Sequence, residues 1–378
     1  MSGYMLSDDG KLFVQAAREF AEKELRPVVA ECDRSGEFPL KLYKRAAELG
    51  LSSVEIPEEF GGPGLDYITV AAMYEEIGRI DAGFGVSMGA SSLAFKPVLL
   101  GGTPEQNRLY AESIMAGKFA AFCLTEPNAG SDAGAVATTA VKKGDGYVLN
   151  GSKCFITNGG VADLYTVFAS TDPALKLRGL SCFIVEKGTP GLSAGKEENK
   201  MGIRLSNTTD VVLNDVHIPA GNLVGKEGRG FILAMKTLDS ARCSLAPFAV
   251  GVARRALEEA TAYAKNRQQF GKPISSLQAI QFMLADMAIR TETARQMAVH
   301  ALTLVQEKRP YGLDGSIAKC YSADIAVQNA LDAIQIMGGY GYSRDMPAEK
   351  LLRDAKIFQI FEGTNQVQRA VIASHIIR

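Results

Sequence analysis

Arg353-Asp354-Ala355-Lys356-Ile357-Phe358-Gln359-Ile360-Phe361-Glu362-Gly363-Thr364-Asn365-Gln366-Val367-Gln368-Arg369, close to the C-terminus, sets one carboxylate among four large apolar side chains. Around Glu362, the residues Ile357, Phe358, Ile360 and Phe361 would strip water from the carboxylate and raise its pKa toward the range in which it takes a proton from carbon. Gly363 has no Cβ and lets a ligand approach the backbone N–H groups on either side. Thr364 or Asn365 is placed to cap a last helix from Gln366 to about Ile377, whose Val367, Val371 and Ile372 fall on helical spacing. Taken alone, the stretch reads equally as a surface-loop glutamate ahead of a capped helix.

At 378 residues the chain has room for two or three domains and a sizeable core. Hydrophobic residues make up 47% and charged residues 22%, with a mean hydropathy of +0.02. That composition has neither the polarity of a disordered chain nor the long apolar runs of a membrane span, so no transmembrane segment is expected. The N-terminal nine residues show neither a basic region followed by an apolar core nor an Arg- and Ser-rich transit sequence, which predicts a cytoplasmic protein. With 41 basic and 42 acidic residues, the balance argues against a nucleic-acid partner. Cys32, Cys123, Cys154, Cys182, Cys243 and Cys320 are scattered without a C-x-x-C pair, which predicts buried free thiols and neither disulfides nor a metal site.

From residue 7 to about 117 the chain reads helical. Phe13, Ala16, Ala17, Phe20 and Ala21 recur at spacings of three and four, as do Leu40, Tyr43, Ala46, Ala47 and Leu51. Asp8 and Asp9 are candidate caps of the first helix. Breaks fall at Phe38-Pro39, Ile56-Pro57 and Gly61-Gly62-Pro63-Gly64, with the next helix from about Tyr67 to Ile80. Met73 and Met88 read as core packing. After Lys118 the pattern alternates, predicting strands over 119–125, 136–142, 147–150, 165–169, 181–186 and 210–216. Lys143-Gly144-Asp145-Gly146 and Lys187-Gly188-Thr189-Pro190-Gly191 each suit the closing of a hairpin. A βαβ alternation and a G-x-G-x-x-G after a strand are both missing, which disfavours a Rossmann domain. Beyond Gly230, long alanine-rich helices broken at Lys272-Pro273, Arg309-Pro310 and Gly338-Gly339 fit an antiparallel four-helix bundle. The expectation is a mainly α protein with a central β domain: a helical domain over 1–118, a β domain over 119–225 and a helical bundle over 226–378.

The run Ile360-Phe361-Glu362-Gly363-Thr364-Asn365-Gln366-Val367-Gln368 resembles the signature of the acyl-CoA dehydrogenase family, in which the glutamate removes the substrate's α-proton. The likeness continues in order through four more motifs. These are Leu124-Thr125-Glu126-Pro127-Asn128-Ala129-Gly130-Ser131, Phe155-Ile156-Thr157-Asn158, Arg267-Gln268-Gln269-Phe270-Gly271 and Gln335-Ile336-Met337-Gly338-Gly339. Five motifs in register span nearly the whole chain, where any one alone would say little. The resemblance implies the same domain order with a barrel-like middle domain, an acyl-CoA substrate and FAD as hydride acceptor, since no side chain takes a hydride. It also implies a homotetramer and an electron-transferring flavoprotein as partner.

Residue by residue, the resemblance implies that Phe122, Leu124, Thr125, Gly130 and Ser131 line the flavin, with Ser131 also near the CoA arm. Alone, that segment is a strand and a turn whose N–H groups and hydroxyls suit an isoalloxazine edge and a pyrophosphate. Phe155, Ile156 and Thr157 match a position where an aromatic lies against the flavin ring and a threonine lies close to its reactive nitrogen. On a strand Phe155 and Thr157 share a face, as they would in any ordinary strand. Many members carry Trp there; this chain has no Trp. Arg267, Gln269, Phe270, Gln278, Gln335, Gly338 and Gly339 resemble positions that reach the diphosphate and adenine of a neighbouring subunit's FAD. The Arg267 fork suits two diphosphate oxygens, with a surface salt bridge as the plain alternative. Thr364 and Gln366 are carried over as further cofactor contacts. Asp239 and Arg242 match CoA-contacting positions, Gly363 joins them as a substrate contact, and an i,i+3 ion pair is the plain alternative for the first two. The implied mechanism holds the thioester carbonyl on the Glu362 N–H and a flavin ribityl hydroxyl while Glu362 takes the α-proton.

Isovaleryl-CoA dehydrogenases place their base near residue 241; here residue 241 is Ala, leaving Glu362 as the candidate. Gly85, Gly89, Ala90, Ser91 and Ser92 resemble the acyl-cavity region, and the overall likeness to butyryl-CoA-type members implies a short acyl chain. A branched, cyclic or dicarboxylic acyl group is the alternative. Glutaryl-CoA dehydrogenases carry an Arg where this chain has Gly85-Val86, although another basic residue can substitute. An acyl-CoA oxidase or a non-catalytic flavoprotein subunit are the readings from other classes.

Overall fold

The computed structural model describes residues 3–377; Met1, Ser2 and Arg378, at the outer ends of the first and third expected domains, lie outside the described residues. Ser7 caps α1 (Asp8–Phe20), its hydroxyl accepting from the Gly10 N–H at 3.0 Å. Asp8 and Asp9, the expected caps, instead occupy the first turn, where their charge meets the positive end of the helix dipole. A π-helical turn, Ala21–Leu25, leads into α2 (Arg26–Ser35) and then α3 (Leu40–Glu48). Asp66 accepts from the Ile68 and Thr69 N–H groups to start α4 (Tyr67–Ile80). Asp81 caps α5 (Ala82–Gly101), and a Thr103/Gln106 capping box opens α6 (Pro104–Met115). By length and composition α5 could cross a membrane, contrary to the expectation that no run would, but 72% of its apolar window is buried inside the fold. Its glycines and serines let neighbouring elements pack against it closely.

The β domain is one seven-stranded sheet. It comprises β1 (Ala120–Cys123), β2 (Thr139–Lys143), β3 (Gly146–Thr157), β4 (Leu164–Ser170), β5 (Leu180–Glu186), β6 (Leu192–Glu197) and β7 (Thr208–Pro219). The order is β1-β4-β2-β3-β7-β6, with β5 antiparallel to β4. Residues 143–146 close the expected β2–β3 hairpin. Residues 187–191 do not close one: β6, which alternation in the sequence does not reveal, pairs with β7 instead. The reason lies in burial. Strands β4 and β5 are buried on both faces and satisfy each other, whereas β6 is an exposed edge strand. Strand β3 also runs past its expected end, through two register shifts against β7.

The C-terminal part consists of α7 (Gly230–Asn266), a small hairpin of β8 (Gln268–Gln269) and β9 (Lys272–Pro273), α8 (Gln278–Gln306), α9 (Gly312–Met337), α10 (Ala348–Phe358) and α11 (Asn365–Ile376). Three long helices pack together, and the shorter α10 and α11 share the fourth position against α9. Helix α4 crosses α7 nearly backbone to backbone. A Cβ on Gly78 would stand 2.7 Å from the Phe248 carbonyl oxygen, and one on Gly251 would stand 2.5 Å from that of Glu75. Charges seal this crossing: Arg295 meets Glu75 at 2.8 Å and Arg254 meets Glu76 at 2.9 Å. All six cysteines are buried and free, as expected.

Candidate active site

Helix α10 stops at Phe358, and the chain turns through two consecutive left-handed residues, Glu362 (φ 55°) and Gly363 (φ 85°), before Thr364 caps α11 by accepting from the Val367 N–H at 3.2 Å. Only glycine adopts that backbone readily, so the glutamate is held there by its surroundings. Gln368 Nε2 donates to the Glu362 and Gly363 carbonyls at 3.2 and 3.0 Å, and Lys319 Nζ donates to the Gly363 carbonyl at 2.7 Å. Lys319 also donates to Asn365 Oδ1, and Asn365 Nδ2 in turn donates to the Cys320 carbonyl at 3.1 Å. With the carbonyls engaged on the bundle side, the Glu362 N–H donates to no protein acceptor among the described residues.

Glu362 lines a cavity of about 90 Å³ at the meeting point of all three domains. Tyr74 comes from α4, Val86 and Ala90 from α5, Thr157 from β3, and Ala241, Leu245 and Phe248 from α7. Oε2 of Glu362 is buried without a hydrogen-bond partner among the described residues. Burial pushes this carboxyl up to about 7, with Arg242 and then Lys319 pulling the other way. The same burial pulls Lys319 down to about 8. Of the four apolar sequence neighbours expected to desolvate Glu362, only Phe361 lines the cavity; Phe358 is in the core and Ile360 is 49% exposed. Ile360, just before the turn, stays half-exposed, and apart from Phe361 the walls that exclude water come from residues distant in sequence. Ala241 lies on the same wall and brings no carboxylate at that position; the other carboxylate of the lining is Glu55. Gly89, Ala90 and Ser92 face the cavity as expected, but Gly85 and Ser91 do not. Gly85 packs on the Phe248 ring, and the Ser91 hydroxyl accepts from the Ala120 N–H at 3.1 Å.

Arg242 and Asp239 form the i,i+3 ion pair at 2.7 Å. Arg242 is buried beneath the Glu362 turn, and its guanidinium acts directly on the Glu362 carboxylate. Phe122 packs its ring on Phe168, Leu124 is buried, Thr125 is half-buried, and Gly130 and Ser131 are exposed on the following loop. The Cys154 N–H donates to the Thr125 carbonyl at 3.0 Å, which sets this motif beside Phe155. Ile156 is buried between Phe155, 65% exposed at φ 55°, and Thr157 at the cavity wall. An aromatic ring displayed from strained backbone beside open glycine fits a flat ring system bound against it. Behind both motifs lies a pair the sequence reading missed. Lys153, fully buried, meets Glu126 at 2.7 Å and also donates to the Leu124 carbonyl. Glu126 further accepts from the Ala137 and Thr138 N–H groups, closing the loop that carries Gly130 and Ser131.

Arg267, Gln269, Gly338 and Gly339 gather around a separate open pocket with Tyr340, 5.8 Å from the Arg267 guanidinium. Gln278, Gln335 and Phe270 are exposed nearby in the chain, Phe270 at 88%, and Gln366 is exposed on α11. Ala241 and Arg267 stand 26 residues apart on α7, about 39 Å at 1.5 Å per residue, so one chain does not bring the two groups together. A larger groove of about 600 Å³, lined by Arg26, Lys200 and Arg204 among others, contains no candidate residue. Sequence reasoning also missed Glu55, Lys96, Lys153 and Lys319. The only local signal was a lone lysine within an otherwise apolar helical face, as at Lys319 and Lys96.

Helical domain, sheet and bundle, converging on one cavity with a buried carboxylate, define an enzyme assembled from three domains around a single reaction chamber. Family models of the acyl-CoA dehydrogenase N-terminal, middle and C-terminal domains match residues 7–118, 121–216 and 228–377. The short-chain specific acyl-CoA dehydrogenase of Clostridium acetobutylicum is 44% identical over 377 residues, covering 99% of this chain and 100% of that protein. The solved structure of butyryl-CoA dehydrogenase from Megasphaera elsdenii aligns with a TM-score of 0.97 at 43% identity over 100% of both chains. A chain in the structure described as "Electron transferring flavoprotein of Acidaminococcus fermentans: Towards a mechanism of flavin-based electron bifurcation" aligns with a TM-score of 0.97 at 47% identity, again over 100% of both. The chain belongs to the acyl-CoA dehydrogenase family and is an enzyme of that family.

Proposed function

We propose that this chain is a short-chain acyl-CoA dehydrogenase in which Glu362 removes the α-proton of the thioester. The observation that carries the proposal is Glu362 itself. Its carboxylate is buried at a small cavity, its free oxygen lacks a protein partner, and its pKa sits near the operating pH, where a general base works best. The unengaged Glu362 N–H is a donor for the thioester carbonyl, so negative charge developing on that oxygen meets a fixed dipole. The left-handed turn fixes carboxylate and N–H together, which sets the base for the Cα proton and the donor for the neighbouring carbonyl oxygen. Bound FAD supplies the two-electron acceptor for the hydride leaving Cβ. Thr125, Phe155 and Thr157 would hold its ring system and Ser131 its polar tail, supported by the exposed Phe155 beside the cavity. The Arg267 cluster, too distant to serve the same cofactor, supports a homotetramer in which it serves a neighbouring subunit's FAD. The small cavity and the short-chain relatives support a short acyl group. The Acidaminococcus likeness supports an electron-transferring flavoprotein as electron acceptor. Domain limits near residues 118 and 225 are supported by the passage from α6 to sheet and from sheet to α7.

Anaerobic stopped flow with butyryl-CoA tests the role of Glu362. Glu362→Gln keeps shape and backbone but cannot accept the proton, so bleaching of the flavin should slow by at least the ~10²–10⁴-fold typical of losing a positioned acid–base group. Bleaching within a few-fold of wild type would place the base elsewhere.

A further inference from the structure

One face of α5 lines the cavity along successive turns, through Val86, Ala90, Leu93 and Lys96. Its near end is fixed beside Thr157, because Asn158 Nδ2 donates to the Ser87 carbonyl at 2.9 Å. Lys96 is nine residues further on, about 14 Å along the helix axis. The wall is apolar midway and then turns polar at Lys96, Ser92, Tyr74 and Glu55. Ser92 is 8% exposed and its hydroxyl has no hydrogen-bond partner among the described residues. Tyr74 donates to Glu55 Oε1 at 2.7 Å. The Lys96 ammonium has only a long contact, 3.4 Å to the Tyr67 hydroxyl, and makes no ion pair with Glu55 among the described residues. Yet Glu55 lies close enough to act on its charge.

We propose that this inner end is a subsite for an acyl-CoA whose far end carries a hydroxyl, which accepts from Lys96 and donates to Glu55 across the gap between them. The proposal rests on the acyl-CoA dehydrogenase reading and names its substrate class more closely. A terminal methyl would offer no partner to the Lys96 ammonium or the Ser92 hydroxyl, the situation in which a polar site rejects an analogue. A terminal carboxylate would satisfy Lys96 but meet the charge of Glu55. One cation and one carboxylate flanking the gap match a neutral group that both donates and accepts.

Binding separates this inference from the catalytic one. Holoenzyme carrying Glu362→Gln, expected to react at least ~10²-fold more slowly, is titrated calorimetrically with 5-hydroxypentanoyl-CoA, hexanoyl-CoA and glutaryl-CoA. The hydroxy thioester should bind at least about tenfold more tightly than hexanoyl-CoA, of nearly equal size, and more tightly than glutaryl-CoA. Adding Lys96→Met should remove most of that preference, as should Glu55→Gln if the first variant fails to fold. Equal or tighter binding of hexanoyl-CoA, or a preference for glutaryl-CoA, overturns the proposal. Loss of butyryl-CoA bleaching in the unmodified enzyme would instead count against the dehydrogenase reading, with the binding order still deciding the subsite.

Discussion

Glu362 combines two costs that a surface glutamate does not have. Its φ of 55° is of the kind that costs about 1–3 kcal/mol outside glycine, and its carboxyl is desolvated to a pKa of about 7. Gln368 and Lys319 stabilise the turn by engaging its carbonyls, and Arg242 moderates the charge. Because the folded pKa lies above the ordinary 4.5, the native state binds more protons than the unfolded chain in between. Stability from this group is therefore present below about pH 4.5 and is lost as pH rises through about 7. At about 1.4 kcal/mol per unit the penalty reaches roughly 3 kcal/mol. Glu362→Gln is thus expected to raise the melting temperature clearly at pH 8 and much less at pH 5. An equal shift at both pH values would show that the carboxylate is not desolvated.

At the scale of elements, the Lys153–Glu126 pair ties β3 to the loop after β1, and so holds Thr125 and Phe155 side by side. Burial alone would raise the Glu126 pKa, but Lys153 and the Thr138 and Ala137 donors hold it below the usual carboxylate range. Lys153→Met leaves that carboxylate buried without its cation, a change that costs about 3–5 kcal/mol when a buried pair is broken. Thermal unfolding should show the loss, and the purified variant should retain less flavin than wild type. An unchanged melting temperature with full flavin content would mean that the Thr138 and Ala137 donors suffice.

For the whole molecule, α7 has a role at each end. Its first half walls the cavity, and its C-terminus, about 39 Å along, delivers Arg267 to a pocket near Gly338 and Gly339. A cofactor shared between subunits would couple flavin retention to assembly. Arg267→Ala is expected to lower FAD per subunit and to shift sedimentation toward smaller species, both restored in part by excess FAD. A fully flavinated variant with unchanged assembly would assign Arg267 to the surface.

How much of this was legible in the sequence depended on the distance between the residues involved. The order of helices, sheet and bundle followed from patterns written in neighbouring residues: the cap at Thr364, the 143–146 hairpin and the change of period after Lys118. The Glu362 motif was equally local. Pairing of β6 with β7 was not, since an edge strand carries no alternation and its partner is chosen by what β4 and β5 have already buried. The environment of Glu362 was not legible either. Its base-like pKa comes from walls supplied by α4, α5 and α7, held in check by Arg242 and Lys319, none of them its neighbours in sequence. Sequence by itself determined which groups are present and which local turns they make. Only the tertiary structure decided which of them lose water together, and desolvation, a property of the assembled surroundings, sets both the charge of Glu362 and the polar inner end of its cavity.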